Sequence, residues 1–153
     1  MSGFVAGGPV PSGHINTDTF WPSIDLENLR ATLRIDSSVT APRLETAVIA
    51  AAITVNRELE DWRSTQQAAG YAELVDVPGP KINDVSAQVH LYRRAIEAAT
   101  GAEVCERYRS FDTTNTGSHK ADELTPTIDE YRRDQRWAVR DFLGRSRTTV
   151  ELI

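Results

Sequence analysis

The side chains best suited to chemistry in this 153-residue chain are three histidines, a single cysteine and several adjacent carboxylates. His14 lies in a Gly- and Pro-containing N-terminal stretch, His90 in a helical pattern and His119 in a polar stretch. None stands in an H-E-x-x-H or comparable ligand spacing, and a lone Cys105 cannot build a zinc cluster. Cys105 sits between Val104 and Glu106 with no cue for a base or an oxyanion hole, so a structural thiol is expected. Glu60/Asp61 and Asp122/Glu123 are sequence neighbours, and adjacent helical residues point about 100° apart, so neither pair makes an acid–base dyad. Gly7-Gly8-Pro9 and Gly117-Ser118-His119-Lys120 lack the G-x-x-x-x-G-K-[ST] phosphate loop. The stretch from Asp112 to Gly117 lacks the register and terminal Glu of a calcium loop. Trp62, Trp137, Tyr71, Tyr92, Tyr108 and Tyr131 fall mainly on apolar faces, where core packing explains them better than base stacking. The residues therefore predict no catalytic group, no cofactor and no metal.

What remains is a chain built to contact other chains. At 40% hydrophobic and 25% charged residues it has the composition of one folded domain. A net charge of −5 argues against a dedicated DNA binder, which carries a basic stripe to release counterions from phosphates. Arg93, Arg94, Arg107, Arg109, Arg132, Arg133 and Arg136 are interleaved with Glu97, Glu103, Glu106, Asp129, Glu130 and Asp134, the pattern of a solvated or subunit-facing salt-bridge surface. One cysteine excludes an intrachain disulfide and fits a reducing compartment. No apolar run reaches the length of a membrane span, and the first residues lack the basic start of a signal peptide, so an origin in the cytoplasm is expected.

The elements that carry these surfaces read as an all-α fold: a small bundle of four to five helices with a long central helix, an extended N-terminal arm and a C-terminal tail. Residues 1–22 form the arm, 23–147 the bundle and 148–153 the tail. The arm is rich in Gly, Pro, Ser and Thr, and Phe20, Trp21 and Pro22 close it with an anchor that can pin it to the domain. A first helix spans Leu26 to Arg34 behind an Asp25 N-cap. The strongest helix starts at Thr40 with Pro42 in its first turn. Its apolar stripe of Leu44, Ala47, Val48, Ala51, Val55, Leu59 and Trp62 predicts one continuous element to about Ala69, stopped by Gly70, roughly 42 Å long. Tyr71 to Asp84 reads as a linker containing Pro78-Gly79-Pro80, with Leu74, Val75 and Val77 as a short extended piece. A third helix begins between Ile82 and Val85 and continues past Gly101, with a bend there, to Asp112. A last helix covers Thr127 to Phe142 and ends before Gly144. The tail Thr148-Thr149-Val150-Glu151-Leu152-Ile153 alternates polar and apolar residues, is β-prone, and is too short to fold alone.

Several stretches, in order, carry a family resemblance. They are Phe20-Trp21-Pro22-Ser23-Ile24, Leu29 to Asp36, Arg43-Leu44 through Val55-Asn56-Arg57-Glu58-Leu59 to Trp62-Arg63, and Gly70-Tyr71. They continue with Tyr92-Arg93-Arg94-Ala95, Glu106 to Asp112, Arg132-Arg133, Trp137-Ala138 and the terminal Thr148 to Ile153. From about Phe20 onward the chain resembles the head completion, or head stabilisation, proteins of contractile-tailed phages, the GPL family.

That resemblance implies a structural virion protein, not an enzyme. It implies a head–tail adaptor, docked as a ring beneath the portal protein after DNA packaging, that seals the filled capsid and offers a platform to a tail-terminator or neck protein. The ring is expected to be homo-oligomeric and dodecameric, made in the host cytoplasm and placed at the head–tail junction of the virion. Packaged DNA would pass through its lumen without sequence-specific binding, and no membrane is involved. Within that frame, Thr148, Thr149, Val150, Glu151, Leu152 and Ile153 are the expected portal or neighbour-subunit contacts. Phe20, Trp21 and Pro22 are the expected anchor of the arm. The alternative is a helical DNA-binding regulator, for which the chain offers no basic recognition face; salt-dependent binding to naked duplex separates the two.

Overall fold

The computed structural model describes residues 13–108 and 126–147. Within them, five α-helices and two short two-stranded ladders enclose one core. No helix among the described residues is long and apolar enough to cross a membrane.

The chain enters through a two-residue strand β1, His14–Ile15, paired antiparallel with β2, Ile24–Asp25. Gly13, at φ +94°, accepts the Leu26 amide at 2.7 Å and closes this ladder. Residues 13–22, assigned to the arm by composition, are thus part of the domain's hydrogen-bonded structure. Helix α1, Leu26–Thr32, starts at Asp25, whose carboxylate accepts the Glu27 and Asn28 amides at 3.0 Å each. It ends two residues earlier than the apolar spacing predicts. Arg34 takes a positive φ, and the Arg30 guanidinium donates to the Asp36 and Val39 carbonyls at 2.9 Å each, holding the turn that follows.

Helix α2, Ala41–Glu58, buries Leu44, Ala47, Val48, Ala51, Ala52 and Val55, the predicted stripe. The predicted continuous helix to Ala69 is corrected here: α2 ends at Glu58, and α3, Glu60–Ala68, begins after Leu59. The amide ladder still crosses this point, with Leu59 donating to Val55 and Arg63 donating to Leu59. Apolar spacing through Val55, Leu59 and Trp62 remains helical, so nothing in the periodicity betrays the break. Gly70 stops α3 in the left-handed region at φ +100°, with the Gly70 and Tyr71 amides bonded back to Gln67 and Gln66.

The linker is more structured than its Pro and Gly content suggests. Leu74–Asp76 is a 3₁₀ turn where an extended piece was expected; Glu73 and Asp76 cap each other there. Strands β3, Lys81–Ile82, and β4, Val85–Ser86, form a hairpin over Asn83-Asp84. Both turn residues have positive φ, 51° and 60°, as a type I′ turn requires. This hairpin delays the third helix, expected from Ile82 to Val85, until Ala87.

That helix, α4, runs Ala87–Tyr108 and passes through Gly101 without interruption. Its predicted extension to Asp112 lies outside the described residues. Helix α5, Ile128–Phe142, opens with a capping box in which the Thr127 hydroxyl accepts the Glu130 amide and the Glu130 carboxylate accepts the Thr127 amide. Both α2 and α5 run antiparallel to α4. Asn56 lies beside Tyr92 and Arg43 beside Tyr108 on one side; Phe142 lies beside Gln88 and Arg132 beside Glu103 on the other.

An aromatic cluster closes one end of the bundle. Trp21 stacks on Tyr92 with centroids 4.6 Å apart and planes 5° from parallel, Phe20 meets Trp21 edge-on at 4.9 Å, and Trp62 meets Phe142 edge-on at 4.6 Å. Tyr92 donates its hydroxyl to Asn56 Oδ1 at 2.8 Å, and burial pushes the phenol far above its ordinary pKa.

Two stability measurements follow from α4. A Cβ at position 101 would stand 2.5 Å from the Tyr131 ring. Relieving helical Gly gains about 1 kcal/mol, but overpacking costs about 1–3 kcal/mol. Gly101→Ala should therefore lower the unfolding temperature, whereas the same change in a Tyr131→Leu background should raise it. Glu97, half-buried on α4, has its pKa pushed up by burial despite Arg93 and Arg94 nearby. A carboxyl with a raised folded pKa contributes stability fully present below its unfolded value, about 4.3, and lost as pH rises through the folded value. Glu97→Gln should raise the melting temperature at pH 7 relative to the parent, and the difference should vanish below about pH 4.

Candidate functional site

The groups that could do chemistry are scattered over the bundle. His14 Nε2 is 3.8 Å from Asp25 on the β1–β2 ladder, and His90 Nε2 donates to the Ile82 carbonyl at 2.9 Å. Cys105 is half-buried in a cleft shared with Tyr131 and Gly101. Glu60 accepts from Arg63 on its own helix at 2.8 Å, and no bond joins it to Asp61. Among the described residues no three His, Cys, Asp or Glu side chains are grouped as a metal site. His119 lies outside them.

The charged side chains instead tie helices together. Arg132 on α5 reaches back to Glu103 at 3.2 Å and Glu106 at 2.9 Å on α4. Gln135, buried beside it, accepts from the same guanidinium and donates to Glu58 on α2 at 3.1 Å, so one polar chain links all three helices. Asp141 receives Arg147 and, at 3.5 Å, Arg94; the Arg147 hydrogen bond is the main cause of its lowered pKa. Arg63 pairs with Asp18, fastening the segment before Phe20 to α3. Much of the arginine–carboxylate mixture is therefore internal to one chain. Trp137, expected on an apolar face, is half-exposed, with the guanidinium groups of Arg133 at 4.7 Å and Arg147 at 4.8 Å over its ring.

Of the residues singled out by sequence, Phe20 and Trp21 are buried in the core, and the Phe20 carbonyl accepts the Leu74 amide at 2.9 Å. Pro22 is half-buried on the rim of a cleft of about 230 Å³ that Asp25, Tyr92, Arg93 and Glu97 also line. Thr148 to Ile153 lie outside the described residues.

Two surface features escaped the sequence reading. A groove of about 670 Å³ opens between the β1 segment and α2, lined by Ile15, Ile49, Ala52 and Ile53 together with the polar His14, Asn16, Thr17, Glu45 and Asn56. Ile49 and Ile53 stand one helical turn apart and out of phase with the Leu44–Ala47–Val48–Ala51–Val55 stripe, a signal that was available. At the bundle end, Ile82 on the β3–β4 hairpin and Val75 on the 3₁₀ turn are exposed. The Asn-Asp pair flanked by β-branched residues was the signal for that hairpin.

The geometry describes a helical body with exposed apolar and charged features and no assembled catalytic constellation among its described residues. Comparison with known proteins gives this body its context. No solved structure matches the chain. The head completion/stabilization protein of Escherichia phage P2 is 38% identical over 148 residues, covering 95% of this chain and 88% of that protein. The family described as phage head completion protein (GPL), structural rather than enzymatic, matches residues 15–153, from β1 through the terminal Thr148–Ile153 stretch. With the match extending over nearly its whole length, the chain belongs to the phage head completion protein (GPL) family, and is a head completion and stabilisation component of a phage virion.

Proposed function

We propose that copies of this chain dock as a ring beneath the portal once DNA has been packaged, close the filled head, and present the platform to which the tail attaches. The observation that carries this reading is the match over residues 15–153 to head completion proteins, because it spans bundle and tail together. A small bundle with its helices cross-linked by Arg132, Gln135 and Glu58 supports it, since a subunit wedged between two larger assemblies must hold its shape. The acidic balance of the chain, −5, fits a lumen past which DNA slides without sticking.

In this reading the two ends of the chain do the joining. Thr148 to Ile153 adds as a strand to an edge on the portal or on a sister subunit; main-chain hydrogen bonds give affinity, and Val150 and Leu152 fill pockets. Phe20 and Trp21, buried in the core, and Pro22 on the rim of a cleft anchor the segment from Gly13 onward to the bundle. A tail-terminator or neck protein takes the opposite face. The free chain is a monomer, and a dodecamer forms only on the portal template.

Two experiments test this. Particles assembled without the protein should fill with DNA and then lose it; normal infectious virions would overturn the reading. Deleting residues 148–153 should leave the melting temperature of the bundle within about 2 °C, in line with a surface change, while abolishing attachment to filled heads. Unchanged attachment would remove the tail from the mechanism.

A further inference from the structure

Helix α5 is held beyond the point where a helix end needs holding. Gly144, at φ +66°, follows its last turn, with the Gly144 amide donating to the Asp141 carbonyl at 3.1 Å and the Arg145 amide to the Arg140 carbonyl at 2.8 Å. Those bonds close the helix as a glycine C-cap does. Two side chains of the same helix then take up the residues that follow. The Arg140 guanidinium donates to the Ser146 carbonyl at 2.8 Å. Arg147 turns back, its Nε donating to Asp141 Oδ1 at 3.1 Å and a terminal nitrogen to Oδ2.

The Arg147 guanidinium is fixed by two different partners. Its carbon lies 4.8 Å from the centroid of the Trp137 ring, and both Asp141 oxygens accept from its fork. Asp141 is itself steadied by Arg94 of α4 at 3.5 Å, and the Arg147 hydrogen bond holds its carboxyl below the ordinary carboxylate range. Yet the pair is open to solvent, its side chains 41% exposed on Arg147 and 26% on Asp141, so it adds little to folding stability. What it does determine is where residue 147 stands and which way the main chain leaves it. The next residue is Thr148, the first of the tail.

We infer that Arg140, Asp141 and Arg147, backed by Trp137, form a clamp that aims the terminal Thr148–Ile153 segment, with Arg147 as its positioning residue. This deepens the joining role proposed above for the tail and rests on it. A strand that adds to an edge must arrive in one direction and one register, and a root that is already fixed leaves fewer torsions to freeze on docking. The clamp acts through the main chain, so neither Arg147 nor Asp141 needs to touch the portal or a sister subunit. Arginine suits this task, because its planar fork holds a carboxylate in one orientation where lysine would offer only a point charge.

The test titrates attachment on heads assembled without the protein, with the melting temperature of each free variant measured alongside. Arg147→Gln should weaken attachment about tenfold, Asp141→Asn should weaken it by the same factor, and the double variant should be no worse, because either change alone opens the clamp. Melting temperatures should stay within about 2 °C of the parent, as for other exposed pairs. Attachment lost with Arg147→Gln but kept with Asp141→Asn would mean that Arg147 meets the partner directly, and would overturn the clamp. Should either variant lose stability, a Gly-Gly insertion between Arg147 and Thr148 decides. It leaves the clamp closed but frees the tail from it, and it should also weaken attachment about tenfold. Attachment unchanged by the insertion would overturn the clamp. The role of the tail fails separately: removal of residues 148–153 without effect would exclude the tail itself. Loss of attachment on that deletion, with no effect from Arg147→Gln or Asp141→Asn, would overturn the clamp alone.

Discussion

Between positions 95 and 102, α4 carries Ala95, Ala98, Ala99, Thr100, Gly101 and Ala102, all buried, and this run of small side chains is what lets α2 and α5 lie against it from two sides. At Gly101 the approach is so close that the Tyr131 ring occupies the space a Cβ would need. Dispersion contacts and burial from both neighbours then accumulate along one helix. The antiparallel arrangement, the position of the aromatic cluster and the reach of Arg132 to Glu103 and Glu106 all depend on that close approach. A larger residue in the run would push α5 away and strand Gln135 without its Glu58 partner.

Polar chemistry in this molecule serves shape. The Arg132–Glu103–Glu106 group spans α4 and α5 where both are partly covered, and Gln135 carries the link on to α2. Exposed ion pairs of this kind add little stability one at a time, typically less than about 1 kcal/mol. Their use lies in fixing how the helices are oriented about one another, and so how the exposed features on different elements are spaced. A protein that works by contact needs that spacing more than it needs a deep energy minimum.

Much of the bundle was legible because its signals are local. Asp25, the Thr127/Glu130 box, Gly70 and Gly144 mark helix ends through hydrogen bonds made within a few residues, and the Leu44-to-Val55 stripe shows its buried face directly. The break at Leu59 was not legible, since the apolar spacing and the amide ladder both continue across it. Nor was the 3₁₀ turn at Leu74–Asp76; the β3–β4 hairpin had a local signal in Asn83-Asp84, which the neighbouring Pro78, Gly79 and Pro80 masked by suggesting a linker. For the exposed groove the difficulty was different. The groove brings residues near position 15 against residues near position 50, and only the folded chain puts them side by side. Sequence directed attention to the final six residues through family resemblance; Ile49 and Ile53 stand out of phase with the buried stripe, but the groove they line needed the fold to be seen.

The aromatic cluster also bears on when the protein becomes competent. Trp21, near the start of the chain, packs against Phe142, at the end of the last helix. A polypeptide still emerging from the ribosome holds Trp21, Trp62 and Tyr92 without the ring that completes their packing, and its core closes only once α5 has been made. Nascent chains and fragments truncated before α5 therefore offer no finished body to an assembling particle. Length itself becomes a form of quality control.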